Sequence, residues 1–305
     1  MKYFPVTPFN SVSVVYLRTY PKVIFFWPMA LCSLVLWLLQ MLYPTPLSVF
    51  GNIWLIVFFV NMFIVAFDFS SSKFFVLIMV LYFPIFSFLL AKESRFPTAF
   101  RFIKGFSRLW LWGCGIFIRV KGREHIIMDK PFIICSNHSS FIDPATLYSI
   151  FPQHFVFTGK QEIENWPLFH IFYTSGMNIL VDRHSRIGAM KGFKRMMGVL
   201  ENGYPLVILP EGTIPINAPK LGEFKSGVTA LAIQQQIPII PVTQTTNWKR
   251  LQRRVLMIGK ASPGVADVII QPPIETKGLT KSDAKELLTK LRDIINEPLH
   301  EKYGV

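Results

Sequence analysis

The sequence predicts an α/β domain, with a mixed and mostly parallel sheet flanked by helices, preceded by N-terminal transmembrane or interfacial helices. Three observations predict it. From residue 120 onward, short β-branched or apolar runs alternate with helical segments, the alternation expected of layered α/β folds. Long uncharged apolar runs fill much of the first 91 residues. Charge is divided unevenly: residues 1–91 carry only Lys2, Arg18, Lys22, Asp68 and Lys73, while the remainder holds 28 basic and 17 acidic side chains.

The chain has 305 residues, a net charge of +14, 51% hydrophobic residues and 16% charged ones. An ordinary soluble domain is about a quarter charged, so an evenly mixed soluble globule is disfavoured. A disordered chain needs low hydrophobicity and is excluded. The basic balance suits an anionic membrane surface or nucleic acid. No nucleic-acid-binding motif is present, so membrane lipids are the expected partners. Cys32, Cys114 and Cys135 are far apart and form no CxxC pair, which argues against a disulfide framework or a zinc site. The six histidines show no HExxH spacing, and no metal is expected.

Residues 23–43 form an uncharged run of 21, and about 20 apolar residues cross a hydrocarbon core as a helix. Lys22 opens this run and Tyr43-Pro44 closes it. A second run covers 49–67 and a third 74–91, separated by a turn from Asp68 to Lys73; the alternative for these two is a buried or interfacial hairpin. The basic cluster after the third run (Lys92, Arg95, Arg101, Lys104, Arg108) points to the cytoplasmic side by the positive-inside rule. The expected placement is therefore an integral membrane protein with its active domain on the cytoplasmic face. Residues 1–95 would be membrane-embedded helices, two to three spans. Residues 96–119 interleave Phe100, Phe102, Phe106, Leu109, Trp110 and Trp112 with Arg101, Lys104 and Arg108. That pattern suits an interfacial helix, and equally a helix packed on the domain.

The α/β domain is expected over 120–305. Candidate strands are 132–136, 155–158, 178–182, 205–209, 237–242, 255–258 and 267–270. Helices are expected at 186–202, 225–236 and 280–295, the last with Thr280 as its N-cap.

Strand 132–136 runs into Asn137-His138-Ser139-Ser140-Phe141-Ile142-Asp143-Pro144. Pro144 suits the first turn of a helix and makes Asp143 a natural cap. A curled connection can return the Asp143 carboxylate to the His138 imidazole, fixing its tautomer and leaving the other nitrogen as a general base. No GxSxG nucleophile is present, so the histidine would activate an external hydroxyl. The spacing alone equally suits a loop histidine beside a helix cap. Strand 205–209 delivers Glu211 and Gly212, and strand 178–182 delivers Arg183, whose planar fork suits phosphate. All three groups fall at carboxyl ends of strands, where open α/β sheets bind ligands.

In order, NHSSFID (137–143), GMNILVDR (176–183), LPEGT (209–213) and IPIIPV (237–242) resemble the glycerolipid acyltransferase family, of the His-x4-Asp type. FTGKQEI from 157 and EFKSG (223–227) are similar to it as well. The resemblance covers roughly residues 100–260. It implies transfer of a fatty acyl group from acyl-CoA or acyl carrier protein to the hydroxyl of a lysophospholipid, 1-acyl-sn-glycerol-3-phosphate above all, giving phosphatidate. His138 would match the family's general base and Asp143 its orienting carboxylate. Arg183, Glu211, Gly212 and Thr213 would match acceptor-binding positions. Lys160 would lie in a loop near the thioester oxygen, and Lys225 in a substrate-binding block. No bound cofactor or metal is implied. The third block departs from the family pattern: Ile214 stands where a residue helping to hold phosphate is expected. Arg183, Arg186, Lys220 or Lys225 could supply the charge, or the acceptor could be another lyso-lipid or an aminolipid. A catalytically silent lipid-binding protein is the alternative from a different class.

Overall fold

The computed structural model describes residues 27–42, 50–54, 57, 85–165, 170–182, 185–252 and 260–305. The chain separates into two units, Met1–Val80 and Leu81–Val305. In the first unit, helix α1 (Trp27–Gln40) has 14 residues, and Trp54 Nε1 donates to Ser33 Oγ at 2.8 Å.

The expected membrane spans are corrected by this structure. Among the described residues no helix is long and apolar enough to cross a membrane. With 1.5 Å of rise per residue, the described Trp27–Gln40 segment is about 21 Å long. The third apolar run ends in helical residues 85–90, and there Phe86, Leu89 and Leu90 are buried against Phe100, Phe132 and partly buried Phe172. Part of its apolar character thus serves the protein's own core. Residues 43–49, 55–56 and 58–84, which hold most of the second and third apolar runs, lie outside the described residues. Among the described residues nothing supports the expected transmembrane helices or the integral-membrane placement with a cytoplasmic active domain, whereas the α/β sheet with flanking helices is present.

Among its described residues the second unit has seven strands: β1 (Ile116–Lys121), β2 (Ile133–Ser136), β3 (Val156–Lys160), β4 (Ile179–Val181), β5 (Leu206–Ile208), β6 (Ile239–Gln244) and β7 (Gly264–Ile270). Their spatial order is β1-β7-β6-β2-β5-β3-β4. Every pairing is parallel except β6 with β7. The central strands β2, β5 and β6 are buried along their whole length. That burial on both faces explains why they read as unbroken apolar runs. The candidate strand 255–258 lies outside the described residues. The stretch 96–119 divides into helix α2 (Phe96–Gly113) and the strand β1.

Further helices are α3 (Asp143–Ile150), α4 (Ile171–Thr174), α5 (Arg186–Glu201), α6 (Gly227–Gln235), α7 (Asn247–Arg250) and α8 (Ala284–Tyr303). Side chains alternate across the sheet. Ile133, Cys135, Leu206 and Ile208 face one side, where they pack with α5, α6 and α8. Ile134, Val207, Ile240 and Val242 face the other, with α2, α3 and an aromatic cluster of Phe100, Tyr148, Phe155 and Phe157. On α8, Leu287, Leu291, Ile295 and Leu299 recur every fourth residue and are all buried, each stabilising the layer by about 1.5–3 kcal/mol. Thr280 and Asp283 form a capping box just ahead of this helix, satisfying backbone donors that its first turn leaves open.

The helix after β2, α3, packs on one face, while the helix after the adjacent β5, α6, packs on the other. Where neighbouring connections part in this way, a crevice opens beyond the strands' carboxyl ends.

Candidate active site

Residues that follow β2, β5 and β6 converge at this crevice. After β2 the chain curls through Ser139 and Ser140 into α3, and the backbone N–H groups of both serines donate to Asp143 Oδ2, at 2.6 and 2.8 Å. Asp143 is the first residue of α3, fully buried, and its carboxylate turns back to the loop; the residue at the cap position is Ile142. His138 Nδ1 lies 2.9 Å from Asp143 Oδ2. An ionised carboxylate accepts from the Nδ1–H tautomer, so Nε2 is the basic nitrogen. The His138 side chain is 18% exposed, enough to meet a substrate while shielded on its Asp143 side.

Glu211 comes from the turn after β5. Its Oε1 accepts the His138 backbone N–H at 2.8 Å and its Oε2 accepts the Gly222 N–H at 2.7 Å. The residue is 6% exposed, and burial pushes its carboxyl above the usual range while the two N–H donors pull the other way. Both oxygens are occupied by backbone, so Glu211 holds the histidine loop to the 220s loop. Gly222 permits the close approach: a Cβ there would sit 3.0 Å from Glu211 Oε2. Gly212 turns the chain with φ of +67°, a left-handed conformation that glycine adopts without a side-chain clash.

The other expected site residues are dispersed. Thr213 is exposed, and Ile214 beside it is 3% exposed. Lys225 is exposed, and its backbone N–H donates to Pro210 O at 3.1 Å, tying the loop to the Glu211 turn. Lys160 is half-buried at the carboxyl end of β3, one strand further from β2 than β5. Arg183 lies outside the described residues. The structure thus brings together His138, Asp143 and Glu211. It adds Asn137, Gly222, Gln244 and Asn247, none of which was singled out from sequence. Gln244 ends β6 and Asn247 follows it, so the rule that ligands bind beyond strand ends would have directed attention to them. Among the described residues no group of three or more His, Cys, Asp or Glu side chains could hold a metal ion.

At the carboxyl edge of this α/β sheet, a fully buried carboxylate lies 2.9 Å from a partly exposed histidine. Comparison with known proteins specifies the class. A family profile described as Acyltransferase matches residues 117–245. The chain is 30% identical over 200 residues to 1-acyl-sn-glycerol-3-phosphate acyltransferase of Limnanthes douglasii, covering 64% of this chain and 68% of that one. The enzyme of the same name from Limnanthes alba is 31% identical, with the same coverage. The crystal structure of a 1-acyl-sn-glycerophosphate acyltransferase from Thermotoga maritima superposes with a TM-score of 0.55, at 21% identity, over 75% of this chain and 96% of that one, a likeness of fold. The chain belongs to the glycerolipid acyltransferase family, and it is an acyltransferase.

Proposed function

We propose that the protein transfers a fatty acyl group from an acyl-CoA or acyl carrier protein thioester to the free hydroxyl of 1-acyl-sn-glycerol-3-phosphate, giving phosphatidate. The observation that carries this reading is the His138–Asp143 pair, 2.9 Å apart, in a chain whose relatives bear that activity in their names. His138 Nε2 takes the acceptor hydroxyl's proton as its oxygen bonds to the thioester carbonyl carbon. The C–S bond then breaks, and the departing thiolate recovers the proton from the imidazolium. Asp143 balances the imidazolium charge in between. A thioester is already activated, so the step needs no covalent enzyme intermediate.

Acceptor binding rests on residues further out. Lys225, exposed on the loop pinned to the Glu211 turn, and Lys160 at the end of β3 supply cations for a phosphate or for the thioester oxygen. Arg183 is retained as a phosphate ligand on its motif position. The buried Ile214 favours a second reading, an acceptor with a different headgroup, because it removes a polar group from the phosphate side. Lipid substrates also have to be met at a surface. On α2, Phe102, Leu109 and Trp112 are 42%, 60% and 64% exposed beside Arg101 and Arg108, an arrangement that supports contact with headgroups. Purified protein with labelled oleoyl-CoA and a panel of lyso-acceptors tests the assignment. Transfer to lysophosphatidate is expected; transfer to another acceptor and none to lysophosphatidate would establish the second reading.

A further inference from the structure

We propose that Asn247 is a positioning residue of this site, fixing the Asp143 carboxylate so that it addresses His138; this rests on the general-base reading above. Asn247 is the first residue of α7, 104 positions from Asp143, and is fully buried. Its Nδ2 donates to Asp143 Oδ1 at 2.8 Å and to Gln244 Oε1 at 2.5 Å, with Thr146 Oγ1 at 3.2 Å. Asp143 Oδ2 faces His138 Nδ1 and two backbone N–H groups. Each carboxylate oxygen is therefore tethered, and Asn247 holds the one turned away from the histidine. Rotation of the carboxylate would break bonds at both ends.

The amide cannot be there for packing alone. Asn247 Oδ1 is buried without a hydrogen-bond partner, and such a group is ordinarily costly. A leucine of similar size would remove that orphan but leave Asp143 Oδ1 and Gln244 Oε1 without this donor. Flipping the amide would set Oδ1 against the acceptors Asp143 Oδ1 and Gln244 Oε1, so the observed orientation is enforced. Its support is rigid. Gln244 Nε2 donates to Ser136 Oγ at 3.1 Å, and the Gln244 backbone exchanges hydrogen bonds with the Asn137 side chain at 2.7 and 3.2 Å. Thr246 Oγ1 donates to Val265 O at 2.8 Å and accepts from the Asp267 N–H at 2.7 Å. Ser140 Oγ donates to Leu251 O at 2.6 Å, joining the histidine loop to the same segment. The carboxyl ends of β2 and β6 are thereby locked together around Asp143.

The charged neighbours are few. Asp143 and His138 face Asn247 from α3 and from its preceding loop, with Glu211 beyond His138. On α7 itself Lys249 lies over the Trp248 and Tyr303 rings, and Arg250 donates to Pro263 O. On β7, Asp267 is paired with Arg119 and Lys302.

The test compares Asn247→Leu and Asn247→Asp in the full chain, with oleoyl-CoA and the acceptor that wild type uses best. Leucine removes the donor; aspartate keeps the shape and donates to Asp143 only when protonated. Asn247→Leu should lower kcat by about ten- to a hundredfold, the usual cost of losing a partner that orients a reacting group. KM for both substrates should stay within about twofold. The activity of Asn247→Asp relative to wild type should fall as pH rises from about 6 to 9, while that of Asn247→Leu stays flat. Full kcat in Asn247→Leu, or one pH-independent loss in both variants, would overturn the proposal. Should Asn247→Leu fail to fold, the Asn247→Asp pH profile decides alone. Failure of the acyl-transfer reading shows separately, as wild type inactive on every acceptor.

Discussion

Replacing Glu211 by glutamine distinguishes a clamp from a substrate ligand. Both carboxylate oxygens accept backbone N–H groups, His138 at 2.8 Å and Gly222 at 2.7 Å, at a residue only 6% exposed. Glutamine presents one oxygen and one NH2, so one of the two N–H groups would face another donor. Losing one hydrogen bond to a charged acceptor costs about 1.5–3 kcal/mol. The neutral amide is easier to bury than a carboxylate, which offsets part of that and leaves a net destabilisation of about 1–2 kcal/mol at neutral pH. The pH dependence has a definite sign. Burial raises the Glu211 carboxyl in the fold, so its contribution is fully present below the unfolded glutamate range. That contribution is lost as pH rises through the folded value. Wild type should lose this increment on going up in pH and Glu211→Gln should not, so the gap between them narrows. Urea unfolding across that range measures it. Kinetics supply the second arm: a displaced histidine loop lowers kcat, whereas a lost acceptor contact raises acceptor KM. Unchanged stability and kcat with a raised acceptor KM would refute the clamp.

Three further outcomes follow from the geometry. His138→Ala should lower kcat by about 10²–10⁴-fold, the range for a lost general base, with the urea midpoint of the fold retained; unaltered kcat would move the base elsewhere. His154 sits between the Phe100 and Tyr204 rings, at 5.2 and 5.1 Å, with neither ring nitrogen hydrogen-bonded, and burial lowers its pKa to about 4. For a base lowered from 6.5, stability falls as pH drops below that value, by about 2 kcal/mol at pH 5; His154→Phe should abolish that part of the acid loss in a thermal melt series. Leu291→Ala on α8 empties a fully buried site and should cost about 2–5 kcal/mol in urea unfolding without changing KM.

How far the sequence discloses this site depends on distance along the chain. His138 and Asp143 are five residues apart, and Pro144 announces the helix that turns the carboxylate back, so the pair is readable locally. Glu211 is readable as a strand-end carboxylate. Its partners are not, because Gly222 and the His138 N–H reach it only through tertiary folding. Asn247 is hidden for the same reason: nothing in TQTTNW discloses that its amide meets a carboxylate from another strand end. The central strands were legible since burial on both faces leaves apolar runs in the sequence. Strand β1 was not, because IFIRVK carries the same aromatic and basic mixture as the helix before it. Apolar composition also cannot separate burial in protein from burial in lipid. Phe86, Leu89 and Leu90 fill the domain's own core, while their neighbours in sequence suggested a bilayer.

The outermost strands of the sheet have a bearing on how the protein behaves at high concentration. Among the described residues the seven-stranded sheet ends in two edge strands, and an edge strand is a template on which another chain could add a strand. One side ends in β4, only three residues long, too short to recruit much. The other ends in β1, which carries Arg119 and Lys121 with Arg119 held by Asp267. A chain pairing there would have to strip water from those cations. The same arginine and lysine that add to the molecule's positive charge thus guard it against edge-to-edge association, a protection independent of catalysis.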